Sequence, residues 1–244
     1  VLELLGLPTA ASTHAAEIDR ILVLTHWLMA VLALGWGGYF IYTLIRFRRK
    51  AQPVAIHAGI TAGWSKYVEA AVVLTEVVLL VFFSIPAYSA RVTNFPDAAG
   101  STEVRVVAEQ FAWNVHYPGA DRRFGRTDIR LVSSENPIGL DAKDAAAADD
   151  VVAVNQFNMP AGRPVIVHLT SKDVIHSFGL PQMRVKQDAI PGMVHDLWFT
   201  PTRTGAWEIV CSQLCGLGHY RMRGFYSVQT PEAFQAWLTE AAQP

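Results

Sequence analysis

Two periodicities divide the chain. From residue 21 to residue 45 no Asp, Glu, Lys or Arg interrupts the apolar run. As a helix, such a run of about 25 residues reaches roughly 37 Å and crosses a bilayer with some tilt. A second run, about 67–88, carries Val72, Val73, Leu74, Val77, Val78, Leu79, Leu80, Val81, Phe82 and Phe83; it predicts a second membrane helix, the first covering about 21–46. From residue 102 the pattern becomes short alternating segments, at 103–108, 129–132, 151–154, 164–169, 194–199, 206–210 and 224–228, separated by turn residues. Strands at that spacing predict an all-β sandwich or barrel. Thr230 and Pro231 then open a short helix, with Thr as N-cap and Pro at the first helical position. The expected organisation is a lead-in over 1–20, a transmembrane hairpin over 21–90, a linker over 91–101, a β-domain over 102–230 and a C-terminal helix and tail over 231–244.

Charge orients this scheme. The loop between the helices holds Arg46, Arg48, Arg49, Lys50 and Lys66 and no acid, so it faces the cytoplasm or a matrix and both termini lie on the opposite side. Gly35, Gly37 and Gly38 allow close approach of another helix. Glu69 and Glu76 interrupt the second helix; an ionisable group at such depth faces protein or a water path, the plainer alternative for Glu69 being a solvated helix end. No cleavable signal is recognisable at the start, and the Ala/Asp-rich stretch 141–150 reads as a surface loop. From Asp97 onward there are sixteen acidic and thirteen basic residues, a mildly acidic balance. No basic patch interleaved with aromatics occurs, which argues against nucleic acid as a partner.

The chemistry concentrates in one run, Val210-Cys211-Ser212-Gln213-Leu214-Cys215-Gly216-Leu217-Gly218-His219-Tyr220-Arg221-Met222, which contains the only two cysteines. Thiolate and thioether sulfurs are soft donors and imidazole is borderline, a set that selects copper over magnesium or calcium. Gly216 and Gly218 suit a tight turn. Two alternatives compete: a disulfide, which needs neither His219 nor Met222, and tetrahedral zinc, which has little use for Met.

Cys211, Cys215, His219 and Met222 match the C-x-E-x-C-x3-H-x2-M loop of the binuclear copper centre, CuA, and in this the chain resembles subunit II of haem-copper cytochrome c oxidases. The resemblance continues through Asp173-Val174-Ile175-His176-Ser177-Phe178 and Val185-Lys186-Gln187-Asp188-Ala189-Ile190-Pro191-Gly192. It implies a cupredoxin-like Greek-key sandwich in which the thiolates bridge two coppers. The imidazoles would be His176 and His219, the thioether Met222, and the last ligand the backbone carbonyl of Gln213. The family has Glu where this chain has Gln213, and its carboxylate helps hold magnesium. An amide is a poor ligand for that hard cation, so magnesium is doubtful here.

Gln110-Phe111-Ala112-Trp113 resembles the family's Q-W-x-W stretch, where the electron enters; that assigns the role to Phe111 and Trp113, with strand core as the alternative for Trp113. Glu69 resembles the mouth of a proton pathway. His116, His168 and His195 read as surface or packing histidines. The implied activity is acceptance of electrons from cytochrome c and their relay to haem in subunit I, where oxygen is reduced to water and protons are moved. The implied partners are subunit I, with subunit III, the lipid bilayer and a cytochrome c. This chain has no haem-attachment C-x-x-C-H, so that cytochrome is a separate protein or a tethered domain outside this sequence. The implied location is a bacterial plasma membrane, or else a mitochondrial inner membrane, with the copper domain on the periplasmic or outer side. Rival readings are a quinol-oxidase subunit II, which lacks the ligands, a copper-delivery module, and nitrous-oxide reductase, which lacks the two-helix anchor.

Overall fold

A computed structural model describes residues 6–54, 57 and 63–243, which form two compact units. The helical unit contains α1 (Ala15–Arg46), α2 (Ser65–Leu79) and most of α3 (Ile85–Val92), with a widened π-type turn, Leu80–Ser84, between the last two. Pro86 explains the widening: it has no N–H to give the carbonyl four residues back, and its ring crowds that carbonyl. α1 starts earlier than the expected residue 21. Nothing in 15–20 breaks a helix, and Glu17 sits in the first turn, where the helix dipole favours an acid. Both spans are long and apolar enough to cross a membrane. Within this unit the Arg20 guanidinium lies 5.2 Å over the Phe83 ring. Leu34, Phe40, Leu74 and Phe82 are exposed on the isolated chain, as suits helices whose solvent is lipid or neighbouring helices.

The second unit is a sandwich of two five-stranded sheets. One has the order β3-β2-β1-β5-β8 and the other β4-β10-β9-β6-β7. The strands are β1 (Thr102–Glu109), β2 (Ala112–Tyr117), β3 (Val151–Val154), β4 (Gln156–Pro160), β5 (Val165–Ser171), β6 (His176–Leu180), β7 (Val185–Ala189), β8 (His195–Phe199), β9 (Gly205–Cys211) and β10 (Arg223–Gln229). Alternation puts Val104, Val106 and Ala108 of β1 and Trp113, Val115 and Tyr117 of β2 into the core, opposite Phe157, Met159, Phe178, Ile209 and Tyr226. α4 (Pro231–Ala241) is capped by Thr230, whose Oγ1 accepts from the Ala233 N–H, and it packs Trp237 edge-on against Tyr117 at 5.1 Å.

One expectation changes and two gain detail. Residues 129–132 are not a strand: Ile129–Leu131 is a single 3-10 turn capped by Asp128, with Ile129 exposed. The lead-in is not merely a linker. Its residues 8–15 belong to the sandwich unit, where Ser12 bridges to Pro201, the Ala11 N–H donates to Gln182 O and the Thr202 N–H to Ala11 O. Residues 141–150 form the expected surface loop, and their carboxylates tie it to residues 120–126. Asp144 accepts from the Arg126 and Ala146 N–H groups, Asp149 from those of Ala120 and Asp121, and the Asp150 side chain is shielded from solvent.

Candidate metal centre

Antiparallel pairing of β6 with β9 aligns Phe178 with Cys211, and the Ser212 N–H donates to Ser177 O at 3.0 Å. His176 and Cys211, far apart in sequence, thereby meet at one sheet edge. The loop from Cys211 to Met222 folds back between β9 and β10. Its two sulfurs lie 3.8 Å apart and are not bonded to each other. Cys215 Sγ is 3.7 Å from His219 Nδ1 and 3.6 Å from Met222 Sδ, while His176 Nδ1 is 3.2 Å from the same Met222 sulfur. The Gln213 carbonyl lies 3.3 Å from Cys211 Sγ. All six donors therefore converge, and the atoms of His176, Cys211 and Cys215 lie within 4.8 Å of one another. The unjoined sulfurs are at odds with the disulfide alternative, which requires contact near 2 Å.

The surroundings hold this cluster in place. Asp173 Oδ1 is 2.8 Å from His176 Nε2, and Asp173 Oδ2 accepts the Gln110 N–H at 2.7 Å. That bond leaves Nδ1 of His176 pointing at the sulfurs, a fixed-tautomer arrangement characteristic of metal-ligating histidines. Burial works against the Asp173 carboxylate, but the His176, Gln110 and Val174 hydrogen bonds outweigh it and hold its pKa below the usual range. Burial also opposes a charged His176, yet Cys211 and Asp173 raise its pKa. Burial disfavours the Cys211 thiolate too, but hydrogen bonds from His176, the backbone at Ser177 and Gln213, and His219 bring its pKa down to about 6. Cys215 goes the other way: burial, then the charge on Cys211, push it up to about 11. A soft metal bound here would displace whatever protons the two thiols hold.

The aromatic strand braces the loop from one side. Gln110 Nε2 donates to Cys215 O at 2.7 Å. A Cβ on Gly218 would lie 2.4 Å from the Phe111 ring, and one on Gly216, whose φ is +132°, would meet Gln110 Nε2 at 2.6 Å. Trp113 is completely buried, edge-on to His176 at 6.1 Å, so only Phe111 of the pair is reachable from outside. The neighbouring loop surface is apolar, with Leu214, Leu217 and Tyr220 exposed. Sequence reasoning assigned no role to Asp173; its signal was the carboxylate three residues before His176. Glu69 lies in the helical unit, exposed on α2.

A family model described as "Cytochrome C oxidase subunit II, periplasmic domain" matches residues 102–226, more than half of the chain. The chain belongs to the cytochrome c oxidase subunit II family. Among curated relatives, a cytochrome c oxidase subunit 2 of Thermostichus vulcanus is 44% identical over 259 residues, covering 95% of this chain and 77% of the relative. An alternative cytochrome c oxidase subunit 2 of Bradyrhizobium diazoefficiens is 34% identical over 241 residues, covering 95% of this chain and 83% of that one. The crystal structure of the periplasmic domain of subunit II of cytochrome oxidase of Bradyrhizobium japonicum is 28% identical, with a TM-score of 0.44, covering 60% of this chain and 95% of that chain. This subunit II is accordingly a component of a haem-copper oxidase, an oxidoreductase assembly, and its family is copper-binding.

Proposed function

We propose that this subunit II takes electrons one at a time from cytochrome c and passes them to a haem in subunit I, where oxygen is reduced to water and protons are moved. The observation that carries the reading is the pair of unjoined sulfurs, 3.8 Å apart, with two imidazoles and a thioether turned toward them. Cys211, Cys215, His176, His219, Met222 and the Gln213 carbonyl would hold two copper ions. When bound, that pair accepts and returns a single electron. The chain's own part is mechanical and electrostatic: β6, β9 and β10 fix the donors, and Asp173 holds His176 in one tautomer. A donor set that keeps its geometry needs little rearrangement when its charge changes.

Phe111 is the surface aromatic at which the electron enters, and Trp113 backs His176 from the core. Gln213 leaves position 213 without a carboxylate for magnesium. The basic loop between the helices faces the cytoplasm, the sandwich faces the periplasm, and the membrane is a bacterial plasma membrane, in keeping with the bacterial relatives. Glu69 on α2 serves as the mouth of a proton path. Subunit I supplies the haem and the oxygen chemistry, and subunit III is a further partner.

Rapid mixing of the purified oxidase with reduced cytochrome c tests the relay. The wild type oxidises the cytochrome in a fast phase, and Cys215→Ser loses that phase. Retention of the fast phase in Cys215→Ser would contradict the relay. Glu69→Gln should slow turnover with oxygen while leaving the fast phase intact; equal slowing of both would remove Glu69 from a proton path.

A further inference from the structure

On the outer face of the first sheet, four strands present one transverse row: His116 of β2 stands opposite Arg105 of β1, Arg105 opposite His168 of β5, and His168 opposite Asp196 of β8. Residues 118–150, which join β2 to β3, fold over this row. Phe124 of that segment is inserted between the two imidazoles, 5.1 Å from the His116 ring and 6.0 Å from the His168 ring, with the Arg105 guanidinium 4.5 Å over its face. Asp150, at the end of the segment, lies 2.6 Å from His116 Nε2, and both side chains are completely shielded from solvent. The same Asp150 oxygen accepts the Gly125 N–H at 2.8 Å, and Gly125 packs so closely that a Cβ there would come within 2.8 Å of it. Elsewhere the segment is held by Arg122, which donates to the carbonyls of Ala98, Ala99 and Ser101, and by Lys172, which donates to Pro137 O at 2.7 Å.

In the closed arrangement the shielded Asp150 carboxylate is balanced by the part-buried Arg105 guanidinium when His116 is neutral. His116 Nδ1 and Asp150 Oδ1 have no hydrogen-bond partner among the described residues. With Nε2 already turned to Asp150, an added proton goes to Nδ1, which faces no acceptor, and leaves the cluster of Asp150, Arg105 and His116 with a net positive charge. His168, the other imidazole against Phe124, is partly exposed and paired with the exposed Asp196 at 2.6 Å.

We propose that residues 118–150 are a hinged cover, latched to the sheet by the buried His116–Asp150 pair and released when His116 takes up a proton. Once the cover lifts, His116 enters water and regains an ordinary imidazole affinity for protons. Burial, and after it Arg105, keep that affinity lower in the closed state despite the Asp150 hydrogen bond. A histidine of depressed pKa favours the closed form above about pH 6.5, and the preference is lost as the pH falls below that value. Opening also withdraws Pro137 from Lys172, the neighbour of Asp173.

Hydrogen exchange of the intact oxidase, read by mass spectrometry and corrected for intrinsic rates, tests the cover between about pH 8 and about pH 5. Amides of 124–147 should exchange faster by up to on the order of tenfold per pH unit below about 6.5, while those of β1 and β5 stay protected. His116→Gln keeps an N–H for Asp150 but cannot titrate, so its cover should show no acid acceleration. His168→Gln, the control, should respond to acid as the wild type does. A wild-type cover indifferent to pH, a His116→Gln cover with the wild-type response, or loss of the response in His168→Gln would each overturn the proposal.

Discussion

Gly218 shows most directly how one residue shapes the metal loop. A methyl group there would come within 2.4 Å of the Phe111 ring, and the ring cannot yield without leaving the loop it braces. Gly218→Ala should therefore destabilise the sandwich by about 1–3 kcal/mol and weaken copper retention, measurable by thermal unfolding and by metal analysis after dialysis. Phe111 and Trp113 separate in the same way. Trp113 is fully buried, so Trp113→Ala costs about 3–5 kcal/mol of stability. Phe111 is only partly buried against the core, so Phe111→Ala should cost less stability than Trp113→Ala, and in the molecules that retain copper it should slow the fast phase with reduced cytochrome c. Cys211, Cys215, His219 and Met222 stand out in the sequence because soft donors at C-x3-C-x3-H-x2-M spacing have few other uses, whereas His176 and the Gln213 carbonyl enter only through the family resemblance. Asp173 was not, because a lone carboxylate near a histidine acquires meaning only once the fold shows which nitrogen it faces. Nor was Asp150: an Asp in an Ala/Asp-rich stretch reads as solvated, and only the packed segment shows it against His116.

At the scale of elements, the N-terminal strap, residues 8–15, is the piece whose role the sequence concealed. Small and polar residues such as Ala11, Ser12 and His14 give no strand pattern, yet all three are buried against the 182–184 and 200–202 turns. Burial, followed by the charge of Arg91, lowers the His14 pKa to about 4 even though a hydrogen bond at the Arg184 backbone works the other way. The folded state thus prefers neutral His14. Its contribution to stability is complete above about pH 6.5 and is lost as the pH falls toward 4. Thermal unfolding of the full-length chain in detergent should show a midpoint that drops over this window, and His14→Gln should lessen the drop; an unchanged slope would remove His14 from the strap's stability. Strands β4, β6 and β7 escaped sequence reading for a related reason. All five residues of β6 are buried, so neither face supplies the polar half of an alternation. Residues 129–132 misled in the opposite sense, since an apolar-charged-apolar run can also be an exposed turn.

For the whole molecule, the two long apolar helices and the change of period at residue 102 are features that hydropathy alone dictates, whereas the mixed parallel and antiparallel sheet order depends on contacts distant in sequence. The run 209–220 carries no charged residue and exposes Leu214, Leu217 and Tyr220, and the domain beyond Asp97 is only mildly acidic. Docking of cytochrome c should accordingly depend little on ionic strength; a steep fall in the fast phase with added salt would point to charge steering instead. The electron relay rests on a dinuclear centre held by Cys211 and Cys215. Copper quantification with electron paramagnetic resonance on the purified full-length subunit addresses it most directly. Two coppers per chain, with one unpaired electron shared equally by both nuclei and that signal lost in Cys215→Ser, is the predicted result; a single copper, a zinc ion, or a Cys211–Cys215 disulfide resistant to copper loading would contradict it.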